Sequence, residues 1–139
     1  MQSRQGRRGF VLIAMSAAML LMLALVGMAF DFGRIYIVRN ETQLFTDAAA
    51  LAAARHLDGT AAGVERAKEA AARLHNRWNL GSESFDSVQL MFSDDARSVS
   101  ATADVNQVEI TFLRAVGGPE RFTVPARSVA ASNPPRLVE

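Results

Sequence analysis

The sequence predicts an α+β protein in which a long N-terminal transmembrane helix continues into a small domain, where a second helix packs on a short antiparallel sheet. Three observations support this class. Residues 10–30 form an apolar run without a single charge. Helical periodicity then continues through an alanine-rich stretch to about residue 57. After residue 87 the apolar positions alternate, as they do in β-strands.

The apolar run from residue 10 to residue 30 is long enough to cross a bilayer core, which needs about 20 apolar residues in a helix. Basic residues and no acidic ones precede the run: Arg4, Arg7 and Arg8. The charges that follow it nearly balance. Because Lys and Arg beside a span stay on the cytoplasmic side, we expect residues 1–9 in the cytoplasm and the remaining chain outside it.

A permanent anchor has two alternatives. A cleaved signal peptide has an apolar region of about 7–15 residues, which is shorter than this run, and the nearest cleavage pattern, Gly27-Met28-Ala29, is poor. A buried core helix is the other alternative, but few residues remain to surround it. We therefore expect an uncleaved anchor.

Composition limits the rest of the chain. About a hundred residues remain after the apolar run, enough for one small domain. The net charge of +1 gives no indication of nucleic-acid binding. The absence of cysteine excludes disulfides, thiolate metal sites and cysteine nucleophiles. The domain must therefore be held together by packing alone.

The first helix is predicted to run from about Phe10 to Leu57, because no proline interrupts it and alanine favours helix. Gly33 is a candidate bend, and Asp58-Gly59 predicts the stop. A second helix is predicted from Ala61 to Trp78, with Thr60 as its N-cap and residues 79–81 as its end. The two helices are expected to pack antiparallel because their link is short.

The strands are predicted from alternation. Val88, Leu90 and Phe92 form one strand of a hairpin, and the other contains Val99, Ala101, Ala103 and Val105, across the polar turn at residues 93–97. Another strand is predicted over residues 122–126, with Pro125 favouring an edge. Residues 108–117 fit either a strand or a short helix, with the helix slightly favoured. The predicted division is residues 1–9, 10–30 and 31–132, with an extended tail at 133–139.

The segment RRGFVLIAMSAAMLLMLALVGMAFDFGRIYIVRNETQLFTDAAALAAARHLDG, residues 7–59, resembles the N-terminal region of TadE/TadG-like proteins of the tight-adherence (Flp) pilus system. The resemblance rests on a series of features in order: Arg-Arg-Gly before the apolar run, Asp31-x-Gly33-Arg34 after it, then Tyr36 and Arg39, then the Q-x-x-x-D-A-A-A-L-A-A-A pattern at residues 43–54. The segments TFLRAVGG and FTVPARSVAAS resemble the end of the family's small domain more loosely.

This resemblance implies a pilin-like architecture and a structural role. TadG-type members often carry a further domain resembling a von Willebrand A domain, for which these 139 residues leave no room. Gly9-Phe10 resembles a prepilin processing site, but the glutamate expected five residues after the cut is replaced by Ala14. The resemblance therefore favours an accessory subunit over a major pilin.

Several residues of the first helix are candidate contacts for helix packing and assembly: Ala14, Ala18, Gly27, Asp31, Gly33, Arg34 and Asp47. Ala14 and Ala18 form a small-xxx-small pair that allows close helix approach. Asp31 and Arg34 are spaced to form either a solvated local pair or a contact with a partner. Asp47 faces either solvent or an assembly partner.

No catalytic or metal-binding constellation emerges from the sequence. His56 and His75 stand alone on different predicted helices, and the methionines of the apolar run, Met15, Met19 and Met22, suit lipid or helix contact. Trp78 is expected to anchor the helix–sheet core. We predict no enzyme activity, no cofactor, no nucleic-acid partner and no small-molecule substrate.

The sequence and the resemblance together predict a single-pass protein of the bacterial inner membrane with its small domain in the periplasm, associated with a surface pilus in some settings. Its expected partners are the lipid bilayer and, through the N-terminal helix, other pilus-assembly proteins or copies of itself. Its expected role is that of a minor pilin, pseudopilin or assembly component. The alternatives are a membrane-tethered binding module unrelated to a pilus, and a subunit that itself polymerises into a filament.

Overall fold

The computed structural model describes residues 4–74, 88–103 and 107–132, with side chains described from residue 9 onward. Within these ranges the elements are α1 (Arg4–Ala54), α2 (Ala61–Ala72), β1 (Gln89–Phe92), β2 (Ser98–Ala103), β3 (Gln107–Glu109), α3 (Phe112–Ala115), β4 (Arg121–Thr123) and β5 (Ala126–Ala131). The predicted α+β class, with a long N-terminal helix leading into a helix and a small antiparallel sheet, is confirmed.

α1 is one continuous helix of 51 residues. It passes through Gly33 without interruption, and its apolar part is long enough and apolar enough to cross a membrane. No part of the most apolar stretch is buried within the protein. Beyond residue 37, one face of the same helix is buried by the rest of the chain. The buried residues there are mostly small: Val38, Thr42, Thr46, Ala49, Ala50, Ala53 and Ala54.

The buried threonines of α1 satisfy their hydroxyls within the helix. Thr42 Oγ1 donates to the Val38 carbonyl at 2.8 Å, and Thr46 Oγ1 donates to the Thr42 carbonyl at 2.7 Å. A buried hydroxyl without a partner is costly. These bonds therefore allow threonine to take the place of a small apolar residue against the sheet.

The main sheet has the order β1-β2-β5, with both pairs antiparallel. β1 and β2 form the predicted hairpin, in register with Leu90 opposite Ala101. Its turn is closed by the Arg97 N–H, which donates to the Asp95 carboxylate at 3.1 Å, while Ala96 takes a φ of 49°. Along β2 the buried residues alternate as predicted: Val99, Ala101 and Ala103.

α2 lies against the end of α1 and completes the larger core cluster. The buried members of that cluster are Ala53, Ala54, Leu57, Ala67 and Val99, with Val64, Ala71, Leu90, Phe92 and Ala130 partly buried around them. Most of the α-helical members are alanines. The helices therefore approach each other and the sheet closely, with few long side chains between them.

The link between α1 and α2 confirms Thr60 as the cap of α2, whereas α1 ends at Ala54, a few residues before the predicted end at Leu57. Gly59 has a φ of 82°, a conformation that suits glycine, and Thr60 accepts a hydrogen bond from the Gly63 N–H at 3.0 Å. The Asp58 carboxylate accepts from the Thr60 N–H at 3.0 Å and from the Thr60 hydroxyl at 2.6 Å. Arg66 pairs with the same carboxylate at 2.6 Å.

The predicted end of α2 was wrong. The helix ends at Ala72, with Arg73 as C-cap, rather than at Trp78. The helical spacing of Leu74 and Trp78 had indicated a longer helix. In the structure, Ala71 is the last residue of α2 that packs on the core cluster.

β3 and β4 form a separate two-stranded antiparallel ribbon in which Val108 lies opposite Phe122. Residues 108–117 thus contain both alternatives left open by the sequence, a strand followed by α3. The turn after α3 places Gly117 at a φ of 87°, and the Gly118 N–H donates to the Leu113 carbonyl at 2.8 Å. Glycine at this position ends many helices in the same way.

The single strand predicted over residues 122–126 was also wrong. Strand structure is interrupted at Val124-Pro125, so that β4 belongs to the ribbon and β5 to the main sheet. Proline has no N–H to continue a ladder, so Pro125 lies between the two strands. The predictions for His75, Trp78, residues 79–81, Val105 and the tail 133–139 lie outside the described residues.

Candidate functional site at the end of the apolar run

The Asp31 carboxylate, one residue past the apolar run, binds the beginning of α3. Its Oδ1 accepts from the Thr111 N–H at 3.1 Å, and its Oδ2 accepts from the N–H groups of Phe112 at 2.7 Å and Leu113 at 2.6 Å. Asp31 is only 1% exposed. Because the first N–H groups of a helix have no partner within it, this carboxylate supplies a cap from 80 residues earlier in the chain.

Thr111 stands at the N-cap position of α3 but makes no side-chain capping bond of its own. Its hydroxyl instead accepts a hydrogen bond from the Arg34 guanidinium at 3.5 Å. Asp31 and Arg34, one turn apart on α1, therefore both contact the start of α3. The interpretation of these two residues as a solvated pair was wrong, because α3 covers Asp31.

Gly27 provides the space into which α3 packs. A Cβ at this position would lie 2.7 Å from two carbon atoms of Phe112. One turn later along α1, the Phe30 ring meets the Phe112 ring edge to face, with the centroids 5.8 Å apart and the planes at 82°. Phe112 thus lies against the last turn of the apolar run, and a larger residue at position 27 would push it away.

The β3–β4 ribbon continues this contact along α1. Val38, Val108 and Val124 form a second buried cluster, with Ile35 packed against it. We call the contacts of α1 with α3 and with this ribbon the α3 clasp. It joins the end of the apolar run to the segment that lies between β2 and β5 in the sequence.

Gln43 and Asp47 show what the Q-x-x-x-D spacing does in this structure. The Gln43 amide donates to the Asp47 carboxylate at 2.8 Å and to the Arg127 carbonyl at 3.2 Å. Residues four apart lie on the same face of a helix. Asp47 therefore orients Gln43, and Gln43 links α1 to Arg127 near the beginning of β5.

α1 also keeps a long apolar face that the described residues leave largely exposed. Phe30, Ile37, Leu44 and Leu51 are spaced by seven residues, which places them on one side of the helix. Their exposed fractions are 56%, 40%, 73% and 56%. We call these four residues the heptad stripe. It continues the exposed apolar surface of residues 10–30 along the part of α1 that belongs to the small domain.

The structure thus brings together some of the predicted packing residues and leaves others apart. Gly27, Asp31 and Arg34 meet at the α3 clasp. Ala14, Ala18 and Gly33 are exposed, and a Cβ at Gly33 would meet nothing described within 4 Å. Gly9 and Phe10 lie within α1, and Phe10 is 72% exposed. A role of any of these residues in assembly or processing stays a prediction, as does the topological role of the basic residues Arg4, Arg7 and Arg8.

Sequence reasoning missed Thr111 and Phe112 as the partners of Asp31. A signal was present, because Thr111 directly precedes a short apolar helical pattern and is a suitable N-cap residue. Nothing local linked that pattern to an aspartate 80 residues earlier. Among the residues that the structure describes, no group of three or more His, Cys, Asp or Glu side chains is placed to hold a metal ion.

Comparison with known families finds a match in α1. Residues 9–56, about a third of the chain, match the family described as "Putative Flp pilus-assembly TadE/G-like". No curated protein and no solved structure gave a match. The family match confirms the TadE/TadG-like resemblance of the N-terminal region. It supports a pilus-related role, in a family that is structural rather than enzymatic. Within the described residues, one helix is long and apolar enough to span a membrane.

Proposed function

We propose that this protein is a structural, membrane-anchored subunit, a minor pilin or pseudopilin, of a tight-adherence (Flp) pilus or a related secretion system. One observation carries the proposal. The region that matches the pilus-assembly family is almost entirely one helix, and its most apolar stretch is not buried within the protein. The second part of this helix packs against the small domain on one face and exposes the heptad stripe on another.

In this proposal the span is residues 10–30 and crosses the bacterial inner membrane. Residues 1–9 stay in the cytoplasm, and the small domain of residues 31–132 lies in the periplasm, followed by the tail 133–139. The arginines before the span support this orientation, because flanking positive charge is retained on the cytoplasmic side.

Assembly takes place through α1. The heptad stripe packs against a helix of another pilus-assembly protein or of a second copy, since apolar residues at a spacing of seven form the contact line of paired helices. Within the bilayer, Ala14 and Ala18 allow a neighbouring helix to come close, and Gly33 does the same just outside it. Gly27, Asp31 and Arg34 act indirectly, because they hold α3 against α1 beside Phe30, the first residue of the stripe.

Cysteine cross-linking in native membranes tests this surface. The chain contains no cysteine, so Leu44→Cys gives a single reactive position in the middle of the heptad stripe. Tyr36→Cys is the matched control, because Tyr36 is 66% exposed on the same helix but lies on a different face. We expect Leu44→Cys to form specific adducts with pilus-assembly proteins or with a second copy, identified by mass spectrometry, at several times the yield of Tyr36→Cys. Equal yields from the two positions would contradict the proposal.

The N-terminus of the protein from native membranes distinguishes the subunit types. A chain that begins at Met1 or Gln2 indicates a permanent anchor and an accessory role. A chain that begins at Phe10 indicates processing after Gly9 despite Ala14, and directs the search to sheared surface fibres, where a polymerising subunit would be found.

In the alternative of a membrane-tethered binding module, the candidate binding surface is a shallow, open groove on the small domain. It has a volume of about 530 Å³ and runs between α1 and the sheet edge, lined in part by Arg39, Gln43, Thr102 and Arg127. A fragment for binding tests must begin near Asp31, because a fragment from Thr60 lacks the half of α1 on which the core forms. Specific binding of an envelope component by that fragment, without cross-links at Leu44, would favour this alternative.

A further inference from the structure

We propose that α3 and the turn after it form a second membrane contact, lying in the lipid surface beside the end of the span. Phe112 and Val116 are the residues that enter the lipid. The proposal rests on the anchoring of α1 in a bilayer proposed above, but not on any role in a pilus.

The depth of α3 follows from its contacts with α1. At 1.5 Å per residue the apolar run is roughly 31 Å long, close to the hydrocarbon thickness of about 30 Å, so Phe30 lies near the boundary. Gly27 lies about 4–5 Å further in. Phe112 packs on Gly27 and Phe30. If the run spans the bilayer, the Phe112 ring must lie at the depth of its last turn.

The surface of α3 suits that depth. Phe112 is 46% exposed and Val116 is 60% exposed, next to the lipid-facing side chains of the run. Interfacial helices bury their apolar side about 5–10 Å into the boundary between headgroups and acyl chains. Arg114 and Glu120 pair at 2.9 Å and are mostly exposed, so their charges can remain at headgroup level.

Backbone N–H groups of this segment have hydrogen-bond partners within the protein, which matters close to hydrocarbon because an unpaired N–H or C=O there is costly. The first N–H groups of α3 donate to Asp31. In the turn that follows, the Gly117 N–H donates to the Arg114 carbonyl at 3.1 Å and the Gly118 N–H to the Leu113 carbonyl at 2.8 Å. Asp31 thus allows the start of a helix to lie close to hydrocarbon.

Lipid fits this surface better than a protein partner. A stable protein interface buries about 800 Å² on each side, far more than two exposed side chains on a four-residue helix provide. The patch is continuous with the apolar surface of the span, so the bilayer that covers one also reaches the other.

Fluorescence quenching by lipids tests the proposal on the full chain in phosphatidylcholine–phosphatidylglycerol vesicles. An environment-sensitive fluorophore is attached to Val116→Cys and, as the control, to Val129→Cys. Val129 is 65% exposed on β5, a strand held to α1 at Gln43, about 20 Å beyond Phe30 along the helix. We expect nitroxide lipids carrying the quencher near the headgroup to quench the label at position 116 several-fold more than the label at 129. Equal quenching would overturn the proposal.

A third label, at Met22→Cys about 12 Å inside Phe30, is probed with lipids that carry the nitroxide deep in the acyl chain, and it separates this proposal from the anchoring on which it rests. Quenching at position 22 without quenching at 116 overturns the α3 contact alone, whereas no quenching at either position overturns both. Blue-shifted emission at 116 that is insensitive to nitroxide lipids indicates a protein contact and also overturns it. Asp31→Ala, which removes the cap of α3, is expected to lower quenching at 116 and leave quenching at 22 unchanged.

Discussion

The two halves of α1 differ in how much of their surface the rest of the chain buries. Along residues 10–30 the exposed side chains are large and apolar, and the most apolar stretch has no part buried within the protein. Along residues 38–54 the fully buried side chains are mostly alanine and threonine, while large residues such as Leu44 and Leu51 point away from the domain. Beyond Val38, the helix thus places mainly small residues against the sheet and large residues such as Leu44 and Leu51 on its outer side.

The difference shows that hydrophobicity alone does not locate the core of this protein. Large apolar side chains such as Leu44 and Leu51 lie on the exposed surface of α1, and small ones lie on the surface against which the sheet packs. The reason is distance, because a helix can lie close to a sheet only where its side chains are short. The predictions below test where one kind of surface gives way to the other.

The largest effect is expected at the boundary between the halves. Asp31→Ala leaves three N–H groups of α3 without their acceptor and should lower the free energy of unfolding by roughly 2–4 kcal/mol. Thermal unfolding of the full chain in detergent measures the loss, and hydrogen exchange at residues 111–113 should quicken. Asp47→Ala is the control, because the Asp47 carboxylate accepts a single side-chain bond, from Gln43. Equal losses in the two variants would contradict the capping role.

The same enlargement in the two halves should have opposite consequences. Ala53 is fully buried against the core cluster, so Ala53→Leu overpacks it and should cost about 1–3 kcal/mol. Ala29 is exposed in the apolar run, and Ala29→Leu should leave the unfolding temperature unchanged. The comparison fails if Ala29→Leu is as damaging as Ala53→Leu.

Two glycines of α1 allow a finer test. Gly33→Ala meets open space and should stabilise the helix by up to about 1 kcal/mol, because alanine loses less backbone entropy on folding. Gly27→Ala gains the same propensity but collides with Phe112, and should give a net loss of roughly 1 kcal/mol. Hydrogen exchange at Phe112 reports whether α3 has separated from α1. Identical behaviour of the two variants would rule out the close contact.

The smallest effect concerns pH and the link after α1. Hydrogen bonds from the Thr60 hydroxyl and N–H, together with Arg66, hold the pKa of Asp58 below its ordinary value of 3.8. A carboxyl with a lowered pKa stabilises the fold above its unfolded pKa, and this contribution is lost as the pH falls through the folded value. Thermal unfolding below about pH 4 should therefore decline less steeply in Asp58→Asn than in the natural chain. If the unfolding temperature falls equally steeply with pH in both proteins, groups other than Asp58 cause the acid sensitivity.

The sequence was sufficient where structure follows from nearby residues. The cap at Thr60 and the alternation of Val99, Ala101 and Ala103 were predicted, and the end of α1 was predicted to within a few residues, because each depends on a few adjacent positions. The family resemblance of the first helix was confirmed for the same reason, since its residues are consecutive.

The rest depended on contacts between distant parts of the chain. The sequence could not show that α2 loses its packing surface after Ala71, or that Pro125 separates two sheets rather than marking one edge strand. The partner of Asp31 was missed because a carboxylate after an apolar run has the same local pattern whether it faces water or caps a helix. The heptad stripe was visible in the spacing, but only the position of the sheet shows that it is left uncovered.

Because α1 runs without a break from the apolar run into the core, the rotational phase of the helix is shared by everything attached to it. Each residue turns a helix by about 100°, so one residue inserted between Asp31 and Val38 would swing the main sheet about a quarter of the way around the axis while Asp31 and α3 stayed in place. The number of residues between Asp31 and Val38 therefore sets the direction, around the axis of α1, in which the main sheet faces. In this protein the length of the connection acts as an angular coordinate.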